Sequence, residues 1–147
     1  QSRVSGPFLD RMDIAIDLAP VTASDLSRPA SGETSEEVAH RVAAARAAQR
    51  ERSQDAVGAP FDNARLPDAA LEKVAAPDAE GSALLSRAAE TLGFSARAYH
   101  RILRVARTLA DLDAQTCVKR RHIAEAVSYR RRDSAEASAA ARRATAG

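Results

Sequence analysis

Met12, Ile14, Ile16 and Leu18 alternate with Asp13, Ala15 and Asp17, the period of a strand buried on one face. No second stretch with that period follows, and no loop leads into this one. A single strand cannot make a sheet, because its backbone donors and acceptors stay unpaired. The remaining apolar spacing is helical. The chain is therefore expected to be mainly α, with one leftover strand, and to be a piece of a larger protein. The absence of an initiating methionine before Gln1 agrees with that expectation.

The rest of the sequence divides by its punctuation. Residues 20–32 are rich in Ser, Ala, Pro and Gly and read as a loop. Thr34 and Glu37 have capping-box spacing, so a helix is expected from there to about residue 55. Its apolar stripe, Val38, Val42 and Ala45, is weak, and Arg41, Arg46, Arg50 and Arg52 lie on its other side. A second linker over 58–67 precedes a short helix over 68–75.

From Pro77 the pattern is firm. Residues 79–92 bury Leu84, Leu85, Ala88 and Leu92, Gly93 suits a left-handed C-cap and Ser95 caps the next helix. Over 96–112, Tyr99, Ile102, Leu103, Ala106, Leu109 and Ala110 share one face. A last helix over about 119–129 buries Ile123, Ala126 and Val127. This gives four expected segments: 1–32 with its strand at about 12–18, a connecting helix and linker over 33–77, a helical domain over 78–130, and a basic tail over 131–147. That tail is expected to be disordered, since it holds no large apolar residue.

Composition narrows the chemistry. Only 3% of the 147 residues are aromatic and the formal net charge is +2, so no polyanionic partner follows from charge alone. Cys117 is the single cysteine, which excludes an intrachain disulfide. With no signal peptide or long apolar run, the cytoplasm is the expected compartment. His40, His100 and His122 are far apart and show no metal-ligand spacing, so no metal site is expected. No glycine is followed by lysine, so this stretch holds no phosphate-binding loop of the Walker A kind.

Arginines are then the candidates. Arg11, at the mouth of the strand, is either a surface residue paired with Asp10 or Asp13, or a charge offered to a neighbouring subunit's phosphate. Arg97 sits in the first turn of its helix, where the macrodipole disfavours a cation by about 0.3–1 kcal/mol. At 100° per residue, Arg97, Arg101 and Arg104 share a narrow arc with Arg107 at its edge. Arg101 and Arg107 read as a solvated face, and Arg97 and Arg104 as candidates for contact with an anion. Arg130, Arg131 and Arg132, with Arg142 and Arg143, read either as phosphate contacts to nucleic acid or as a solvated tail.

The segment SGPFLDRMDIAIDL is similar to the SGPLLDRID segment of the magnesium-chelatase-related AAA+ ATPases of the ComM/YifB type. GETSEEVAHRVAAARAAQRER resembles that family's next helix. LLSRAAETLGFSARAYHRILRVARTLADLD and RRHIAEAVSYR resemble its C-terminal helical lid. The resemblance covers nearly all of residues 3–132. Phe8 and Met12 replace aliphatics, and His100 stands where an acidic residue is common.

The resemblance implies an AAA+ helical lid bundle, preceded by the last strand of the α/β ATPase core and a connecting helix. It implies that Arg11 is an arginine finger acting in trans, that Arg97 is the sensor-2 arginine, and that Arg104 is a recurring lid arginine. It implies ATP and Mg2+ as cofactors of an intact ATPase, none being expected in this stretch, which lacks Walker A and Walker B and is expected to be inactive alone. It implies a homo-oligomeric ring, commonly a hexamer, acting on DNA in branch migration during natural transformation. A helical DNA-binding or adaptor module and a magnesium chelatase motor subunit are the alternatives.

Overall fold

The computed structural model describes residues 11–16, 18, 20–22, 26, 27 and 32–130. Among them are five α-helices and one short 3-10 turn. Helix α1 spans Ser35–Val57. The 3-10 turn is Asn63–Arg65, and α2 spans Asp68–Val74. Helices α3, α4 and α5 span Ala79–Leu92, Ala96–Leu112 and Arg120–Ser128.

Short polar residues and glycine set several of these helix ends. The Thr34 hydroxyl accepts from the Glu37 N–H at 3.2 Å, and the Glu37 carboxylate accepts from the Thr34 N–H at 2.7 Å. The Thr34 N–H and the Thr34 hydroxyl both donate to that carboxylate and hold the Glu37 carboxyl below its usual range. Gly58 ends α1 at φ 71°, a left-handed conformation that costs a glycine nothing. Asp78 and Ser95 cap α3 and α4 through the N–H groups of Gly81 and Ala98.

Helix α4 is the centre of the bundle, packing against α1, α2, α5 and the 3-10 turn, while α5 also lies along α3. Its stripe Ile102, Leu103, Ala106 and Ala110 is buried with Leu71, Leu85, Val118 and Ile123. Each large aliphatic buried here contributes roughly 1.5–3 kcal/mol. Pro77 and Val118 form a parallel bridge, in which the Asp78 N–H donates to the Val118 carbonyl at 2.9 Å. This bridge starts α3 and α5 side by side.

Two expectations are corrected. The strand over 12–18 does not form: among its described residues the backbone is irregular, and Met12, Ile14, Ile16 and Leu18 are 44%, 53%, 66% and 86% exposed. The alternation is real, but among the described residues no neighbouring strand pairs with it. Instead the segment lies on the helices, where the Ala15 N–H donates to the Tyr129 carbonyl at 3.2 Å. In α1, Val38 is exposed and the buried seam is Ala45, Gln49 and Ser53, so its packing is mostly polar. The tail over 131–147 lies outside the described residues.

Candidate functional site

Helix α4 carries Arg97, Arg101, Arg104 and Arg107, and their surroundings differ sharply. Arg107 was expected on a solvated face and is instead fully buried. Its Nε donates to Asp111 Oδ1 at 3.1 Å, its Nη1 to the Thr116 carbonyl at 2.7 Å, and its Nη2 to the Gln115 carbonyl. The loop after α4 folds over that edge of the helix. Burial pushes the Arg107 pKa down and the Asp111 carboxylate opposes it, but a guanidinium stays charged in proteins.

Asp111 serves a second guanidinium. Arg52 of α1 donates to both its oxygens, at 2.7 and 2.8 Å. Asn63 donates to Asp111 Oδ2 at 2.9 Å and to the Thr108 hydroxyl at 3.0 Å, and its N–H donates to Gln49. Ser53 accepts from the Phe61 N–H at 2.6 Å and donates to the Ala59 carbonyl. The linker over 58–67 is thereby stitched to both helices. Sequence reasoning missed this network because it placed Arg52 on the outer side of α1. The available signal was Arg107 and Asp111 at i, i+4 spacing, flanking the apolar stripe.

Arg104 is engaged too. Its Nη2 donates to the Leu66 carbonyl and to Asp68 Oδ1, both at 2.8 Å, so it clamps the start of α2 onto α4. Its Nε is buried without a hydrogen-bond partner. His100 adds a contact to α2 through Glu72 at 2.9 Å. Arg101 reaches the other way, donating to the Arg11 carbonyl and to Asp13 Oδ1. Between this segment and α4 lies an open groove of about 410 Å³, lined by Asp13, Ile14, Arg101, Arg104, Leu109 and Tyr129 among others.

Arg97 is the exception on α4. It is exposed and has no hydrogen bond or ion pair with any described residue. The Arg11 guanidinium is likewise exposed and without a partner among the described residues, although the Arg11 carbonyl is held. Arg130 departs from the expected solvated run: it is 4% exposed, and its Nη1 donates to the Met12 carbonyl at 3.0 Å. Arg131, Arg132, Arg142 and Arg143 lie outside the described residues.

No described helix is long and apolar enough to cross a membrane.

Comparison with known proteins agrees with this bundle. Residues 32–130 match the family model for the C-terminal region of magnesium chelatase, subunit ChlI. Over 130 residues, 88% of this chain, the sequence is 38% identical to competence protein ComM of Haemophilus influenzae. The uncharacterized protein YifB of Escherichia coli is 38% identical over the same share. The uncharacterized protein Mb2921c of Mycobacterium bovis is 35% identical over 87% of the chain. The chain spans about a quarter of the length of these relatives, 24% for ComM and YifB and 25% for Mb2921c. The matched region is the helical lid of AAA+ proteins, and this chain belongs to the magnesium chelatase C-terminal family, in its ComM/YifB type.

Proposed function

We propose that these residues act as the lid of a ring-forming AAA+ ATPase that works on DNA. Arg97 meets the phosphates of the nucleotide bound by its own subunit, and Arg11 reaches the nucleotide of the neighbour. The observation that carries this reading is the contrast along α4. Arg101, Arg104 and Arg107 are spent on bonds within the chain, while Arg97 keeps all its donors free among the described residues. It does so in a first helical turn, where a cation is disfavoured unless an anion faces it. In this reading the nucleotide and its Mg2+ sit in the core of a longer protein, because the sequence here has no phosphate loop. What the lid contributes is positive charge aimed at a transferring phosphoryl group.

The alternative of a DNA-binding or adaptor module rests on free basic faces, and several of their arginines are engaged within the chain. Arg41 pairs with Glu33, Arg101 with Asp13 and Arg104 with Asp68, and Arg130 is buried.

The test is ATP hydrolysis by a full-length protein carrying this sequence, with and without branched DNA. Arg97→Ala is expected to lower turnover by about 100-fold or more, the scale of losing one preorganised charge donor. Arg11→Ala chains are expected to be inactive alone. Mixing them with chains whose own nucleotide site is disabled is expected to restore part of the turnover, since each supplies what the other lacks. Wild-type turnover in Arg97→Ala, or no recovery on mixing, would overturn the corresponding role.

A further inference from the structure

The segment that begins at Arg11 is fastened to the helices at three points. Arg101 of α4 holds the Arg11 carbonyl and the Asp13 carboxylate. Arg130, just after α5, holds the Met12 carbonyl. The Ala15 N–H pairs with the Tyr129 carbonyl. Arg11 is thus fixed at its backbone, while its guanidinium has no partner among the described residues. Arg101 and Arg97 stand four residues apart on α4, about 6 Å along the axis. Over so short a length a helix moves as a rigid rod, so any displacement that Arg97 follows is delivered to Arg101 and, through it, to the backbone of Arg11.

We propose that Arg101 is a positioning residue that couples neighbouring nucleotide sites. By tying the Arg11 segment to the helix bearing Arg97, it makes the occupancy of one subunit's site set the placement of the guanidinium serving the next. This rests on the roles proposed above for Arg97 and Arg11. Coupling of this kind is a free energy between two sites and shows as cooperativity in nucleotide dependence. A contact that merely stabilised the fold would lower the melting temperature and leave cooperativity alone.

The test uses a full-length protein carrying this sequence and three readouts: the Hill coefficient of ATP hydrolysis, the melting temperature, and amide exchange at Ala15. Arg101→Gln is expected to bring the Hill coefficient to about 1 from a cooperative wild-type value. The melting temperature should stay near wild type, and Ala15 should exchange faster. Asp13→Asn, which leaves Arg101 its bond to the Arg11 carbonyl, should lower the Hill coefficient part-way. A wild-type Hill coefficient in Arg101→Gln overturns the proposal, as does a non-cooperative wild type. Unchanged exchange at Ala15, or a loss of cooperativity that only accompanies unfolding of both variants, also overturns it. The Arg97→Ala and Arg11→Ala proteins separate the two levels. If both hydrolyse ATP like wild type, the lid reading fails first; if both are crippled and Arg101→Gln remains cooperative, only the coupling fails.

Discussion

The two ends of α4 treat the same side chain in opposite ways. At the C-terminal end, Arg107 is buried with Asp111, Arg52 and Asn63 in a network that leaves few donors idle. At the N-terminal end, Arg97 stands in solvent with no partner among the described residues. Burial of a charge is tolerated only when it is paired and hydrogen-bonded. The buried end therefore reports on architecture: it fixes α1 and the linker over 58–67 to α4. Arg97 makes no bond with any described residue, which makes it the place to look for chemistry.

The largest expected effect tests the buried end. Removing Asp111 leaves two guanidiniums facing each other, one fully buried, without their shared counterion. Asp111→Ala is expected to cost about 3–5 kcal/mol, read by urea or thermal unfolding. Arg107→Met should cost less. Arg52 still neutralises Asp111 there, and the main loss is the donors to the Gln115 and Thr116 carbonyls. If Asp111→Ala proves as mild as a surface change, the contrast between the two ends is wrong.

A smaller effect concerns the loop that seals this end. Asp113 lies beside His122 Nε2, 3.1 Å from its Oδ2, and Arg121 approaches the same oxygen at 3.0 Å. The hydrogen bond from His122, with a lesser contribution from Arg121, holds the Asp113 carboxyl below its ordinary value of 3.8. A carboxylate whose folded pKa is depressed stabilises the fold above its unfolded pKa, and that contribution disappears as pH falls through the folded value. Wild type should therefore be modestly more stable than Asp113→Asn near neutral pH, with the two melting temperatures converging in acid. A gap that persists unchanged at low pH would mean the carboxylate is not the cause.

Much of this arrangement was legible in the sequence, for identifiable reasons. The boundaries of α3 and α4 follow from Asp78, Gly93 and Ser95, whose backbone preferences act locally. The α4 stripe follows from its period, and the core contains what that period selects. What local rules could not show was long-range polar pairing. Arg52 and Asp111 are 59 residues apart, and only the packed fold brings them together. Arg107 was misread because the helical wheel ranks it by neighbours on its own helix, whereas the loop at Gln115 and Thr116 is what covers it. The alternation over 12–18 stays without a ladder for the converse reason: it needs a neighbour to become a strand, and none is present among the described residues.

The smallest effect is the most discriminating. Arg97→Ala removes a side chain that has no described partner and that opposes the dipole of its own helix. Alanine is also the better helix former. Stability should therefore change by no more than about 0.5 kcal/mol, as for surface sites away from special features, and the sign can even favour the variant. The same substitution is expected to lower ATP turnover in the full-length protein by about 100-fold or more. A residue that the fold does not need but the activity does is a residue kept for a ligand. Should unfolding of Arg97→Ala show a loss comparable to that of Arg107→Met, then Arg97 has a structural partner, and the division of α4 into an architectural end and a chemical end fails.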